Sequence, residues 1–595
     1  MANQTFDIVI VGASFGGVAA ALAAATYDKT IALIDAGGIV GGQSTSQGLN
    51  RWDETKHSVT PNTYGSTKSY RTLKDDIRGW YGSNATLATG VDVATFNPGF
   101  YEADHPFSAD CNIVMTVLDQ LLVDASKYVT LMRNTRITGA AVTSGTIRSL
   151  TLSNGDTVSA NMFVDATDLG ELLPVCGIQW FIGAEAKSET NEPNAEAQPN
   201  EGHIQPFTIP LAVERRPDGE SDLVQQPANY DELTKYQGFT VVAGRNGMIG
   251  GVFTSQYRSD PSERGWETIF SYRQYIDHRN FSDPQYATDR STLNVGSNDY
   301  QAAVIPTGDA TKDAGIVEDA RQTSIAFLWW LQNQAPHDDG NGAGYPNLKV
   351  RTDMFGTSDG TAPQPYIRES RRIAQPLVQV REQDIAAPNS PRAPTNFKDS
   401  VGIGHYAADV HQCYGPPGTP YVDAGTIGPF QIPLGALIPK DATNYIAGCK
   451  NLGATHITGG AYRVHPIEWA IGEAAGTLAA YCVGQQVAPA AVYAASDRIA
   501  ALQSRLLQNG APIFWWDDVS YEADPKTFTA IHLLGARGTF EGDGTTLNFD
   551  PSADFPQASR DAIDQRENHS FDWPSGSLTR AQAAVVICEQ LGLPI

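Results

Sequence analysis

The sequence predicts an α/β fold with a small, mostly helical C-terminal part. A parallel-stranded sheet is opened by the first fifty residues and closed by a strand and helix near 444–476, with a mainly antiparallel α+β part threaded between. Three observations predict it. A strand, a glycine turn, a helix, a second strand and an acid follow one another from Asp7 to Asp35. A strand ending on Gly448 leads towards an Ala/Gly-rich helix that starts near Pro466. Between them the chain is broken into short segments and long loops, in keeping with its 56 glycines and 35 prolines. The expected boundaries are 1–175 and 431–490 for the two parts of the sheet domain, 176–430 for the insertion and 500–595 for the C-terminal part.

The first element is the apolar run Asp7-Ile-Val-Ile-Val11, a short buried strand. Gly12-Ala-Ser-Phe-Gly-Gly17 follows, then an alanine-rich helix to Tyr27 and the strand Ile31-Ala-Leu-Ile34, which ends on Asp35. This is the order of a Rossmann-type dinucleotide-binding unit. Gly12 allows the tight turn, and Gly17 lets helix and strand pack closely. The helix N-terminus offers free N–H groups and the positive end of its dipole to a pyrophosphate. Phe15 and Gly16 lie in the same turn. Asp35, 23 residues after Gly12, is placed to accept from ribose hydroxyls. The pattern departs from GxGxxG at Ser14, where a small residue still lets the phosphate approach. Gly41-Gly42-Gln43-Ser44 follows six residues after the acid. A glycine pair there extends the cradle along the pyrophosphate and ribityl chain, which favours FAD over NAD.

Further segments carry a resemblance. Gly41 to Gly48 with Asp53-Glu54, Phe163-Val-Asp165-Ala166-Thr167 with Leu169-Gly170, Asp359-Gly360, and Tyr366-Ile-Arg-Glu-Ser-Arg-Arg-Ile373 stand in order along the chain. So do Pro429-Phe-Gln-Ile-Pro433, Leu437-Ile-Pro439, Asn444-Tyr-Ile-Ala-Gly448, Thr455-His456, Arg463-Val464 and Gly472-Glu473-Ala-Ala-Gly476. From about residue 6 to 485 the chain resembles the FAD-dependent oxidoreductase family related to the glutathione-reductase-type flavoproteins. The resemblance implies FAD contacts at Asp165, Ala166, Thr167, Gly448, Arg463 and Glu473, besides those of the first unit. It also implies that the helix starting at Pro466 points its N-terminus at the flavin, where its dipole stabilises negative charge on the reduced ring. Proline suits that first turn, since its missing N–H was unpaired anyway.

Histidines that could take a proton from an alcohol or amine are His405, His411, His456 and His465. His456, in the loop before the flavin-facing helix, is preferred, with His411 in Asp409-Val-His411 as a substrate-side residue. Tyr462 is a further donor. Arg368, with Arg371 and Arg372, either clamps a substrate carboxylate or forms an ion-pair network with Glu369. Asn298-Asp-Tyr300 and Phe270-Ser-Tyr-Arg273 fall in the substrate-binding part. The polar stretch 186–205 reads as an exposed loop, with a lid as its functional reading.

The formal charge of −25 argues against nucleic acid and anionic membrane surfaces. Six scattered cysteines, Cys111, Cys176, Cys413, Cys449, Cys482 and Cys588, make no CxxC pair, so no metal site is expected and the flavin is expected to be non-covalent. No run approaches the ~18 apolar residues of a membrane span, and no signal peptide is recognised. A cytoplasmic location follows as the expectation, or the cell envelope if the C-terminal segment is functional. That segment, with Trp516-Asp-Asp-Val519, Phe528 to Gly538 and Leu578 to Ala584, resembles one divergent S-layer-homology repeat, with Thr579 as N-cap of its last helix. A structural appendage is the preferred role, with wall anchoring and dimerisation as alternatives.

The function expected is FAD-dependent oxidation of a small organic substrate by hydride transfer to flavin N5, from a C–H next to oxygen or nitrogen or by C–C dehydrogenation. One alternative is a flavin monooxygenase or halogenase using NAD(P)H. Another is a non-catalytic flavin-bearing envelope protein. The absence of a second NAD(P) fingerprint leaves dioxygen, a quinone or a protein carrier as electron acceptor.

Overall fold

The computed structural model describes residues 3–59, 64–101, 105–235, 238–243, 249–254, 267–411, 424–540, 542 and 544–595. Cys413 lies outside them. A seven-stranded sheet organises the molecule. Its strands are β1 (Asn3–Val11), β2 (Ile31–Ile34), β3 (Val129–Met132), β4 (Ile137–Thr143), β5 (Thr146–Leu152), β6 (Thr157–Asp165) and β7 (Tyr445–Ala447). The parallel part runs β3-β2-β1-β6-β7, with Ile8 opposite Ile31, Val9 opposite Phe163, and Tyr445 also opposite Phe163. β4 and β5 extend from β6 as an antiparallel meander. β1, β2, β6 and β7 read as nearly continuous apolar runs where they pair, because both faces are covered.

One covering layer is made by two helices in contact, α1 (Phe15–Ala25) and α3 (His465–Gln485), with the short α2 (His456–Tyr462) immediately before α3. α1 and α3 cross backbone to backbone. A Cβ on Gly472 would sit 2.0 Å from the Gly16 carbonyl oxygen, and one on Gly476 would sit 2.1 Å from that of Ala20. Only glycine permits that approach. The stretch before α3 is thus partly helical, and His456 opens α2 instead of lying in a loop.

Between β6 and β7 the chain forms mainly antiparallel strands. Four of them, Leu211–Arg215, Arg290–Leu293, Gln274–Ile276 and Leu348–Val350, make one sheet. The helix Ala310–Asn333 packs Phe327, Leu328 and Leu331 against its Leu211, Val213, Leu293 and Leu348. Beyond α3 come helices Ser496–Gln508, Pro525–Arg537, Gln557–Glu567 and Arg580–Gln590. Their core of Phe514, Trp515, Trp516, Phe528, Ile531 and Ile587 is continuous with Tyr64, Ile403 and Leu507. Thr579 caps the last helix, accepting from Gln582 N–H, as its sequence position predicts.

Candidate functional site

A cleft of about 210 Å³ opens at the C-terminal ends of the parallel strands. Gly12, Ala13 and Ser14 from the first turn line it, with Asp35, Gly42, Gln47, Ala166, Thr167 and Asp168. Gly12 has φ +92°, and a Cβ there would meet the Ala166 carbonyl oxygen at 2.5 Å. Ser14 caps α1, its hydroxyl accepting from Gly17 N–H at 3.1 Å. The residue that breaks the glycine pattern therefore replaces conformational freedom with a cap. Asp35 accepts from Ala13 N–H at 2.8 Å and Gly37 N–H at 2.7 Å, yet burial still holds its carboxyl above the usual value. It has room for further donors.

Unspent polar groups lie in and beside the cleft. Among the described residues, the N–H groups of Ser14, Phe15, Gly42 and Gln43 have no acceptor. The buried Gln43 Oε1, Ser44 Oγ and Gln47 Oε1 have no partner either. Buried polar atoms are rarely left so unless a ligand completes them. The N–H groups suit phosphate oxygens, and the side-chain acceptors suit hydroxyls.

Other expected contacts lie behind this wall. Gly16 packs under the Gly448 carbonyl, and its N–H goes to Glu468 at 3.0 Å. The Phe15 ring faces away, among Trp52, Tyr70, Trp469 and His465. Asp165 is fully buried and locks its own turn, accepting from the Thr167 N–H and hydroxyl and from Leu172 N–H. Gly41, at φ +102°, turns the chain into the Gly42–Ser44 helical turn. Glu473 points to Ser69 at 2.7 Å and so does not reach the cleft. Its expected place as a cofactor contact is not on the cleft wall; a partner 404 positions away could not be read from the sequence.

A second polar cluster gathers residues from six distant segments. His411 Nδ1 lies 2.6 Å from Asp299 and its Nε2 lies 3.1 Å from Asp409. Arg368 holds Asp299 at 2.9 Å, and Arg463 holds Asp409 at 2.9 Å and the Tyr366 hydroxyl at 2.5 Å. Arg273 holds Asp53 at 2.7 Å, and the Asp53 N–H donates to His465 Nδ1. Burial would raise the Asp299 carboxyl, but Arg368, His411 and the Thr208 hydroxyl hold it below the usual range. Burial and Arg368 act against charge on His411, yet Asp409 and Asp299 outweigh them and keep its pKa above the ordinary value. Its side chain is 23% exposed, whereas Arg368 and Arg463 are 2% exposed. Arg463 connects this cluster to the cleft, since its carbonyl accepts from Gln43 Nε2 at 3.2 Å.

His456 and Tyr462 are placed differently. His456 is buried, with Nδ1 2.9 Å from Glu369. Arg372 joins Glu369 at 2.5 Å and Glu185 at 2.9 Å. Burial would raise Glu369, but His456, Arg372 and the Gln205 N–H pull it down to about 2. The structure thus divides the arginine patch. Arg372 belongs to an internal ion cluster, Arg371 stacks over Trp180, and Arg368 serves Asp299. The Tyr462 hydroxyl is spent on the Gln431 carbonyl at 2.7 Å. The stretch 186–205 is exposed outside but tied down within. Buried Glu192 accepts from Thr455 at 2.6 Å and Glu382 N–H at 2.8 Å, and Asn194 donates to Glu382. Lid motion would have to break these bonds. His405, against the Tyr64 hydroxyl, and buried His465 complete the candidate bases.

The model of a family described as FAD dependent oxidoreductase matches residues 7–506. The chain belongs to this family. FAD is its cofactor, and the free N–H groups and orphaned acceptors in and beside the cleft, with the Asp35 carboxylate on its wall, fit FAD. No curated protein matches. Among solved structures the chain is similar to thioredoxin reductase of T. acidophilum, at 16% identity over 28% of this chain and 36% of that one, TM-score 0.15. It is also similar to L-proline dehydrogenase from P. horikoshii, at 14% identity over 31% and 24%, TM-score 0.16. A third is OxyS anhydrotetracycline hydroxylase from Streptomyces rimosus, at 12% identity over 37% and 39%, TM-score 0.21. The aligned part spans less than two fifths of each solved chain, and likenesses this distant say nothing of the reaction. Among the described residues of this FAD-dependent oxidoreductase, no helix is long and apolar enough to cross a membrane.

Proposed function

We propose that this family member oxidises a small organic substrate at a C–H next to oxygen or nitrogen, with His411 taking the proton of the adjoining O–H or N–H. Bound FAD supplies, at N5, the two-electron acceptor for the hydride that leaves the C–H bond. The observation that carries the reading is His411, a partly open imidazole held between two carboxylates, 2.6 Å from Asp299 and 3.1 Å from Asp409. The Nδ1–H stays on Asp299, the proton arrives at Nε2 as the substrate takes the place of Asp409 there, and both carboxylates stabilise the imidazolium that forms. Arg368 and Arg463 fix the two carboxylates from behind, and Arg368 helps to hold Asp299 below the usual carboxylate range. Arg463 also ties this proton-accepting cluster to Gln43 on the cofactor cradle.

The test is anaerobic mixing of the holoenzyme with panels of alcohols, amines and amino acids, watching the flavin bleach. One class should bleach it, and His411→Asn should slow that bleaching about 100-fold, the lower end for a positioned base. Bleaching by NADPH alone would replace this reading with a monooxygenase. An unchanged rate in His411→Asn would remove the histidine from it. Reoxidation of the bleached enzyme by air, by a quinone or by neither then identifies the acceptor class. For the segment beyond 506 we propose a structural role, as its shared core supports.

A further inference from the structure

The cofactor cleft presents a charge problem. Among the described residues its wall carries the carboxylates of Asp35, Asp168 and Glu171 and a single cation, Arg136. A pyrophosphate brings two more negative charges. Immediately behind the wall lies one more carboxylate, Glu468. Its side chain is 1% exposed, and it reaches from the first turn of α3 to the first turn of α1, accepting from Gly16 N–H at 3.0 Å and from the Gln43 amide. The helix end that should attract phosphate is therefore partly neutralised from within.

The compensating charge is Lys450, three residues beyond β7 and 4% exposed. Its ammonium pairs with Asp168 Oδ1 and lies 3.7 Å from Glu468 Oε2. Gln47 Nε2 donates to the other oxygen of Asp168 at 2.6 Å, which leaves the Gln47 carbonyl oxygen as one of the orphaned acceptors. So one buried cation meets the carboxylate of the cleft wall and the carboxylate of the helix junction together. In a poorly solvated interior such a charge acts over several ångströms with little screening. Burial works against the ammonium, but Asp168 and Glu468 outweigh it and keep it charged.

We infer that Lys450 is a positioning residue for the cofactor. It cancels Asp168 and Glu468 so that the α1 N-terminus can accept a dianionic pyrophosphate, and it holds Asp168 and Gln47 in the cleft wall. The inference rests on FAD as the cofactor and is independent of the substrate.

The test measures FAD binding to the apoprotein by flavin fluorescence, in four variants. Lys450→Met should weaken binding at least tenfold, while Lys450→Arg keeps it within a few-fold of wild type. Glu468→Gln preserves the acceptor for Gly16 N–H, turns its amide towards Gln43, whose orphaned Oε1 can then accept, removes a negative charge, and should tighten binding several-fold. Adding Glu468→Gln to Lys450→Met should recover most of the loss, which a purely packing role for the lysine stem would not allow. Unchanged binding in Lys450→Met overturns the inference, as does a double variant no better than the single one. If Lys450→Met does not fold, Glu468→Gln decides alone, and equal or weaker binding there overturns it. Loss of substrate bleaching with FAD binding intact would count against the proposed reaction and leave this inference standing.

Discussion

Asp299 satisfies three partners with one carboxylate: Arg368, His411 and Thr208. Asp299→Asn should act twice. Arg368, 2% exposed, loses its carboxylate, and stability should fall by about 3 kcal/mol, the usual cost of leaving a buried charge unpaired. Denaturant unfolding checks this. His411 loses one of the two charges that raise its pKa, so the fraction of free base at a given pH rises. The acid limb of kcat/KM should move to lower pH, and a limb that moved up or stayed put would contradict the proposed base. A different histidine tests pure burial. Among the described residues His532 has no partner on either ring nitrogen, and burial pushes its pKa down to about 3. The folded state resists protonation there while the unfolded chain accepts it below about pH 6.5, so stability is full above that pH and is lost as pH falls towards 3, at about 1.4 kcal/mol per unit. Buried Glu192 and Glu473 are shifted up and pull in the opposite direction, so the net slope does not isolate His532. His532→Leu does: its gain over wild type should be larger at pH 5 than at pH 8 in urea unfolding, and an equal gain at both would refute the argument.

At the level of elements, the junction of α1 and α3 is the feature most exposed to a single methyl group. Gly472→Ala would put a Cβ 2.0 Å from the Gly16 carbonyl, and the helices would have to part. We expect a loss of about 3 kcal/mol, at the upper end of ordinary overpacking, together with weaker FAD binding as the first turn of α1 shifts. Gly484 lies in the same helix with open space around it, so Gly484→Ala should instead gain up to about 1 kcal/mol of helix propensity. The pair of melting curves tests contact against propensity within one helix. This junction also shows what a sequence can reveal. Gly12, Gly17, Asp35 and the strand before Gly448 were legible because each is required by a short-range rule of turn, cap or strand. The Ala/Gly content of α3 announced a close approach without naming its partner. The pairing of His411 with Asp299, 112 positions away, had no local signal, and neither did Lys450 beside Asp168, 282 positions away. Asp409, two residues before His411, was the one flanking carboxylate within local reach. The sequence favours His456 over His411 and Tyr462 by its place before the flavin-facing helix, and burial, which has no local signal, sets His456 and Tyr462 apart from the partly exposed His411.

Across the whole molecule, the family match ends at residue 506, yet the hydrophobic core does not. Phe514, Trp515 and Trp516 pack in one cluster with Tyr64, Ile403 and Leu507, and the connection is also polar. Ser400 Oγ and Gln431 Nε2 both donate to the Ile513 carbonyl, at 2.8 and 3.2 Å, and Asn396 donates to Gly535. The strand pair Ser400–Gly404 and Phe430–Pro433 therefore depends on chain that lies beyond the family match. That pair packs against α3, through Gly404 and Ile467. His405, Tyr406, Asp409 and His411 follow directly from the first of its strands. A chain cut after residue 510 would expose the apolar faces of Tyr64, Ile403 and Leu507 and take the Ile513 carbonyl from Ser400 and Gln431. Apolar burial is the main stabilising force at such a seam, and exposed apolar surface of this kind promotes aggregation. The truncated chain should accumulate as aggregate. Any soluble fraction should bind FAD through the intact β1–α1 unit but show an altered pH profile, because the segment carrying His411 has lost its support. Size-exclusion chromatography and FAD titration read both. A monomeric 1–510 fragment with wild-type kinetics would show instead that the C-terminal helices are dispensable to the site.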